Sequence, residues 1–176
     1  MKLHSLLLVA GLAPAAVFAA PTVTFQGEVS AQTCQAMING ETNSTVLLPT
    51  VSASELSAAG ATAGLTPFTI SLTGCQAPAS VLNVNTRFLG HSVTAAGNLG
   101  NVAASDAAPN VQIQLTTTAA GTTPVVLNGV TSVPGLVLEA GATATSHQFG
   151  ARYISEGGSA GAGAVTAVAE YSLDYL

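Results

Sequence analysis

Residues 164–176, AVTAVAEYSLDYL, place Val165, Ala167, Ala169, Tyr171, Leu173 and Tyr175 at every second position, with Thr166, Glu170, Ser172 and Asp174 between them. Period-two alternation over six positions marks a strand with one buried face. Directly upstream, GGSAGAG at 157–163 reads as a flexible break before that strand. A matching run stands at the other end of the chain, in PTVTFQGEVSA at 21–31. There Pro21, Val23, Phe25, Gly27, Val29 and Ala31 share one face, and Thr22, Thr24, Gln26, Glu28 and Ser30 share the other. A strand at a chain terminus can complete its own sheet or the sheet of another molecule.

Between these two runs the same short period recurs. Phe68, Ile70 and Leu72 alternate with Thr69, Ser71 and Thr73 before Gly74-Cys75. Leu82, Val84 and Phe88 do so with Asn83, Asn85 and Arg87, and Val111, Ile113 and Leu115 with Gln112, Gln114 and Thr116. His147, Phe149, Ala151 and Tyr153 line one face of a further strand, and brief apolar stretches lie at 125–127 and 136–138. Asn39-Gly40, Ala77-Pro78, Asn128-Gly129 and Ala140-Gly141 are turn signals. Thr45–Val51 reads as extended, with Pro49 marking an edge or bulge. SASELSAAGATA at 52–63 begins with a capping serine and suggests a short helix or 3₁₀ turn. His91–Pro109 is small, polar and glycine-rich, a long loop. Many short strands, regular turns and almost no helix make an all-β chain, one antiparallel β-sandwich without repeats.

The first nineteen residues read as an export signal: Lys2, an apolar core at Leu6–Ala16, and small residues at the −3 and −1 positions of a cut after Ala19. That core is too short to span a bilayer. Of the 176 residues, 157 then remain, with Arg87 and Arg152 against eight acids, a formal charge of −6. Such a balance excludes a nucleic-acid footprint. Cys34 and Cys75 pair in an oxidising compartment, closing a loop of about 40 residues worth roughly 4 kcal/mol.

Chemistry-bearing patterns are thin. His91 and His147 have no second histidine or cysteine at metal-ligand spacing. The carboxylates are scattered singly, and no serine sits in a nucleophile-elbow pattern. The expectation is therefore a protein that is not an enzyme, with no cofactor and no metal.

Several stretches in order resemble subunits of chaperone–usher pili, most of all type 1 fimbrial shaft pilins. They are Phe25-Gln26-Gly27-Glu28-Val29 followed by Thr33-Cys34, then PFTISLTGC at 67–75. Last comes a terminal strand with Gly163 fourteenth from the end and Tyr175 penultimate. The resemblance implies an incomplete immunoglobulin-like β-sandwich that lacks its final strand, completed by a donor strand from another subunit. It divides the chain into a signal peptide (1–19), an N-terminal donor-strand extension (20–33) and a pilin domain (34–176). Val23, Phe25, Gly27, Val29 and Ala31 become the donor face, with Gly27 at the register pocket. Gly163, Val165, Ala167, Ala169, Tyr171, Leu173, Tyr175 and Leu176 become the acceptor groove and chaperone-binding strand. Cys34–Cys75 becomes the intradomain disulfide.

The partners so implied are a periplasmic chaperone, an outer-membrane usher and neighbouring pilins in a linear homopolymer. Neither nucleic acid nor membrane insertion is expected. The implied location is a cell-surface fimbrium of a Gram-negative bacterium, reached through the periplasm. With both a donor and an acceptor and no length for a receptor-binding domain, the chain reads as a shaft or adaptor subunit. The competing reading is a self-contained secreted sandwich, such as a carbohydrate-binding module. The absence of tryptophan weakens it, as does the inward place of Tyr171 and Tyr175 on the last strand.

Overall fold

A computed structural model describes residues 34–176. The expected signal peptide and the expected donor extension carrying Val23, Phe25, Gly27, Val29 and Ala31 lie outside the described residues. Seven strands follow in order: β1 Gln35–Ile38, β2 Ala61–Thr73, β3 Leu82–Gly90, β4 Gln112–Thr116, β5 Val130–Leu138, β6 Thr145–Ser155 and β7 Ala169–Tyr175. All pairings between these strands are antiparallel. One sheet runs β1-β2-β6-β4 and the other β5-β3-β7.

The alternating positions form the core. Phe68, Ile70 and Leu72 of β2 and Phe149 and Ala151 of β6 meet Val84 and Phe88 of β3 and Val133, Leu136 and Leu138 of β5. Phe149 stacks on Phe68 at 5.7 Å and meets Phe88 edge-on at 5.5 Å, so three rings join the two sheets. Each such ring, fully buried, is worth roughly 1.5–3 kcal/mol. The Cys34–Cys75 disulfide is formed and ties the start of the described chain to the end of β2.

Local chemistry explains several boundaries. Pro67 sits inside β2, where it cannot donate to a ladder. It is tolerated because the four-residue β1 pairs only with Ile70–Thr73, leaving that side of Pro67 free. Pro134 is likewise tolerated in the edge strand β5. Ser52 caps a single 3₁₀ turn, Ala53–Leu56, in a reciprocal capping box with Glu55.

The helical reading of residues 57–63 does not extend that far. Ala61–Ala63 pair with Tyr153–Ser155 as the start of β2, and tertiary pairing overrides a weak local preference. Thr45–Val51 joins no sheet. The stretch at 157–163 is tied down: Ser159 N–H donates to Ser57 O and Gly161 N–H to Pro109 O. Glycine there serves tight geometry as well as freedom.

Candidate functional site

The three-stranded sheet ends at β7, and the groove lies beyond that edge. The Leu176 N–H donates to Asn83 O, and Val84 faces Tyr175 in the register with β3. Hydrogen-bonded positions alternate along an antiparallel pair, so the even-numbered residues of β7 turn their backbone toward β3. The odd-numbered ones turn theirs to the open side. Upstream the rule continues: Val168 O accepts from His91 N–H and Thr166 O from Val102 N–H. Among the described residues, the backbone groups of Val165, Ala167, Ala169, Tyr171, Leu173 and Tyr175 have no backbone partner. This is an unpaired edge about eleven residues long, of the kind that recruits another strand.

A cavity of about 570 Å³ runs alongside it. One wall is Val165–Ala169 with Tyr171, and the other is Ser44–Leu48 with Ile38. The floor is the apolar inner face of the sandwich: Phe68, Phe88, Leu99, Ile113, Leu115, Ala151 and Tyr153. Residues 42–51 make no backbone–backbone hydrogen bond among the described residues, so the second wall also offers free backbone. Val46 and Leu48 face in and Leu47 faces out, 81% exposed. All six alternating residues of 165–175 are only half-buried although they pack against the main core.

A smaller cavity of about 230 Å³ adjoins the larger one, and Tyr153 and Val165 line both. Gly163 lines it, with φ +156°. A Cβ at Gly163 would collide with Asp106 O and stand 2.5 Å from Ala108 N. Glycine is required because the chain crosses here against the 106–108 backbone, which brackets it through Ala164 N–H to Asp106 O and Ala108 N–H to Ala164 O.

Of the residues singled out in the sequence, Val165, Ala167, Ala169 and Tyr171 line the larger cavity and Gly163 the smaller. Leu173 and Tyr175 pack on the core beyond the groove, and the Leu176 side chain is exposed. Burial raises the hydroxyl pKa of Tyr153, Tyr171 and Tyr175 above the ordinary tyrosine value; at Tyr175 a hydrogen bond from the Cys34 backbone partly opposes it. That bond places Cys34, the first described residue, beside the end of β7.

His91 approaches Glu170 at 3.2 Å on the outer face, and His147 Nε2 lies 2.8 Å from Thr117 O. No group of three His, Cys, Asp or Glu gathers as a metal site among the described residues. No helix among them is long and apolar enough to cross a membrane. The sequence reading has Thr45–Val51 as extended and His91–Pro109 as a long loop, but not their places as the second wall of the groove and as the backing of residues 164–168.

The chain matches the model of a family described as Fimbrial protein over residues 23–176. It is 50% identical over 97 residues to the F17 fimbrial protein of Escherichia coli, a match that covers 53% of this chain and about half (53%) of that protein's length. It is 35% identical over 182 aligned positions to the minor fimbrial subunit HifD of Haemophilus influenzae, across 99% of this chain and 83% of that protein. Among solved structures, a chain of a chaperone–usher pilus superposes with a TM-score of 0.61 at 20% identity, covering 93% of this chain and 100% of that one. At that identity the likeness is one of fold.

Proposed function

The chain belongs to the fimbrial protein family, and on that premise we propose that it is a structural subunit of an adhesive fimbria that polymerises by donor-strand exchange. Residues 20–33 form the donor and residues 34–176 the accepting domain. A periplasmic chaperone fills the groove first, and at an outer-membrane usher the extension of the next subunit replaces it. The observation that carries this reading is the apolar groove bordered by unpaired backbone on both walls. A lone subunit left so would aggregate.

The donor face suits the groove in chemistry. Val23, Phe25, Val29 and Ala31 would each cover apolar floor. Four such side chains at roughly 1.5–3 kcal/mol each contribute on the order of 6–12 kcal/mol before ordering costs. Backbone pairing on both flanks of the inserted strand adds to this. Gly27, without a side chain, would mark the register. The same inventory argues against a self-contained sugar-binding module, since all three tyrosines are half-buried on the inner face and none offers a stacking platform.

Removing residues 20–32 tests the reading. The truncated chain should fold with its chaperone and take up a synthetic peptide of residues 20–33, yet fail to extend a polymer. The same peptide with Gly27→Leu should compete poorly. A truncated chain that stays unfolded with chaperone and peptide present would show that the extension belongs to its own sandwich, and the reading would fall.

A further inference from the structure

β3 ends at Gly90, opposite Ala169, so residues 164–168 of the acceptor edge have no strand of the sheet beside them. Loop 91–108 stands in its place. Its hydrogen bonds to residues 164–168 are the backbone bonds already described and those of one side chain, Asn101. The Asn101 amide donates from Nδ2 to Ala164 O at 2.8 Å and to Ala108 O at 3.2 Å. Its Oδ1 accepts from Thr166 N–H and from Ala103 N–H, both at 3.0 Å. Both hydrogens and both lone pairs of the amide are used. Two partners are carbonyls and two are N–H groups, so only an amide, in this one orientation, satisfies all four.

The loop has a second anchorage on the other sheet. The Thr94 hydroxyl and Asn98 Nδ2 both donate to Glu156 Oε1. Asn98 Oδ1 accepts from Gln114 Nε2, and Gln114 Oε1 accepts from the Arg152 guanidinium. Asn98 and Gln114 are buried, and a buried polar chain with its partners in place is rigid. The loop is thus fixed to β4 and β6 at one end and to the acceptor edge at the other.

We propose that Asn101 is the positioning residue for the upstream half of the acceptor edge. It holds Ala164 and Thr166 by their even-numbered backbone groups, which aims the backbone of Val165 and Ala167 into the groove for an incoming strand. This inference rests on the donor-strand reading above and adds a residue to it. Leu173 and Tyr175, held by β3 itself, do not depend on Asn101.

Hydrogen exchange at single amides tests it, on the full chain refolded with an excess of a synthetic peptide of residues 20–33. In the wild type, peptide uptake should protect the amides of Val165, Ala167, Tyr171 and Leu173 together. In Asn101→Ala, Val165 and Ala167 should exchange at least tenfold faster while Tyr171 and Leu173 keep their protection. Asn101→Asp keeps both accepted bonds but sets a carboxylate against two carbonyl oxygens. It should behave as the alanine variant at neutral pH and regain protection at Val165 and Ala167 as the pH falls below the ordinary carboxylate range of about 4, where the acid can donate again. Asn101→Ala should not regain it.

Unchanged protection at Val165 and Ala167 in Asn101→Ala would overturn the proposal. So would an even loss along the whole strand, or failure of both variants to fold, since either makes Asn101 a general structural residue. A wild type that gains no protection from the peptide overturns the donor-strand reading itself, a result distinct from a wild type that responds and a variant that responds equally.

Discussion

At the scale of single residues, the groove is defined by what small or polar groups permit. Gly163→Ala would place a methyl group against the 106–108 backbone at a positive φ. Strain and displacement of that kind cost about 2–3 kcal/mol, which denaturant unfolding of the peptide-filled subunit should read as a lower midpoint. The three tyrosines report on burial. Their hydroxyls ionise above the ordinary value of about 10 because the charged form is poorly solvated there. A folded-state pKa raised above the unfolded one gives stability that is present below about pH 10 and lost as pH rises through the folded value. Tyrosinate absorbance should therefore titrate above pH 10 in the folded chain and return to about 10 on denaturation. Filling the groove should move the Tyr171 portion higher still.

At the scale of elements, β7 and its upstream extension carry the argument. Their alternation was legible because one face packs on the core while the other meets solvent, which imprints period two directly. Where residues 164–168 find their backbone partners was not legible. Those partners belong to loop 91–108, and a side-chain amide such as Asn101 leaves no periodic trace. The same limit hid the wall at 44–48, which joins no sheet. It also hid the full length of β5, whose midpoint is Pro134, a residue this strand accepts because it lies at the edge of its sheet. On the donor-strand reading, Ala167, which lines the cavity, suits the element to receive a strand because its small side chain leaves room for an incoming one. Ala167→Leu should leave the fold of the empty domain intact and fill part of the cavity. Uptake of the 20–33 peptide should then slow by roughly tenfold or more, the equivalent of losing about 1.4 kcal/mol in the encounter, read by stopped-flow mixing or by the yield of SDS-resistant complex.

At the scale of the whole molecule, composition becomes a tool. Lys2 is the chain's only lysine. A chain processed after Ala19 therefore carries its α-amine as the sole amine, at the tip of the extension. If the extension seats in a neighbour's groove as proposed, an amine-reactive dye should label the free subunit once and the polymer far less per subunit. Equal labelling of both would show the tip to be solvent-exposed in the polymer.

The disulfide has a mechanical consequence. If subunits are joined by the extension, tension along the fibre enters each domain at residue 33, beside Cys34. Without the cross-link, pulling there would peel β1 from β2, a ladder of only four residues, and then draw out the chain toward Cys75. That stretch is 41 residues, at roughly 3.4 Å each about 140 Å of contour length. The Cys34–Cys75 bond short-circuits that path and delivers the load directly to the end of β2, in the middle of the sandwich. Single-fibre stretching should show the roughly 140 Å steps only after reduction, and a fibre under oxidising conditions should yield by strands sliding out of their grooves instead.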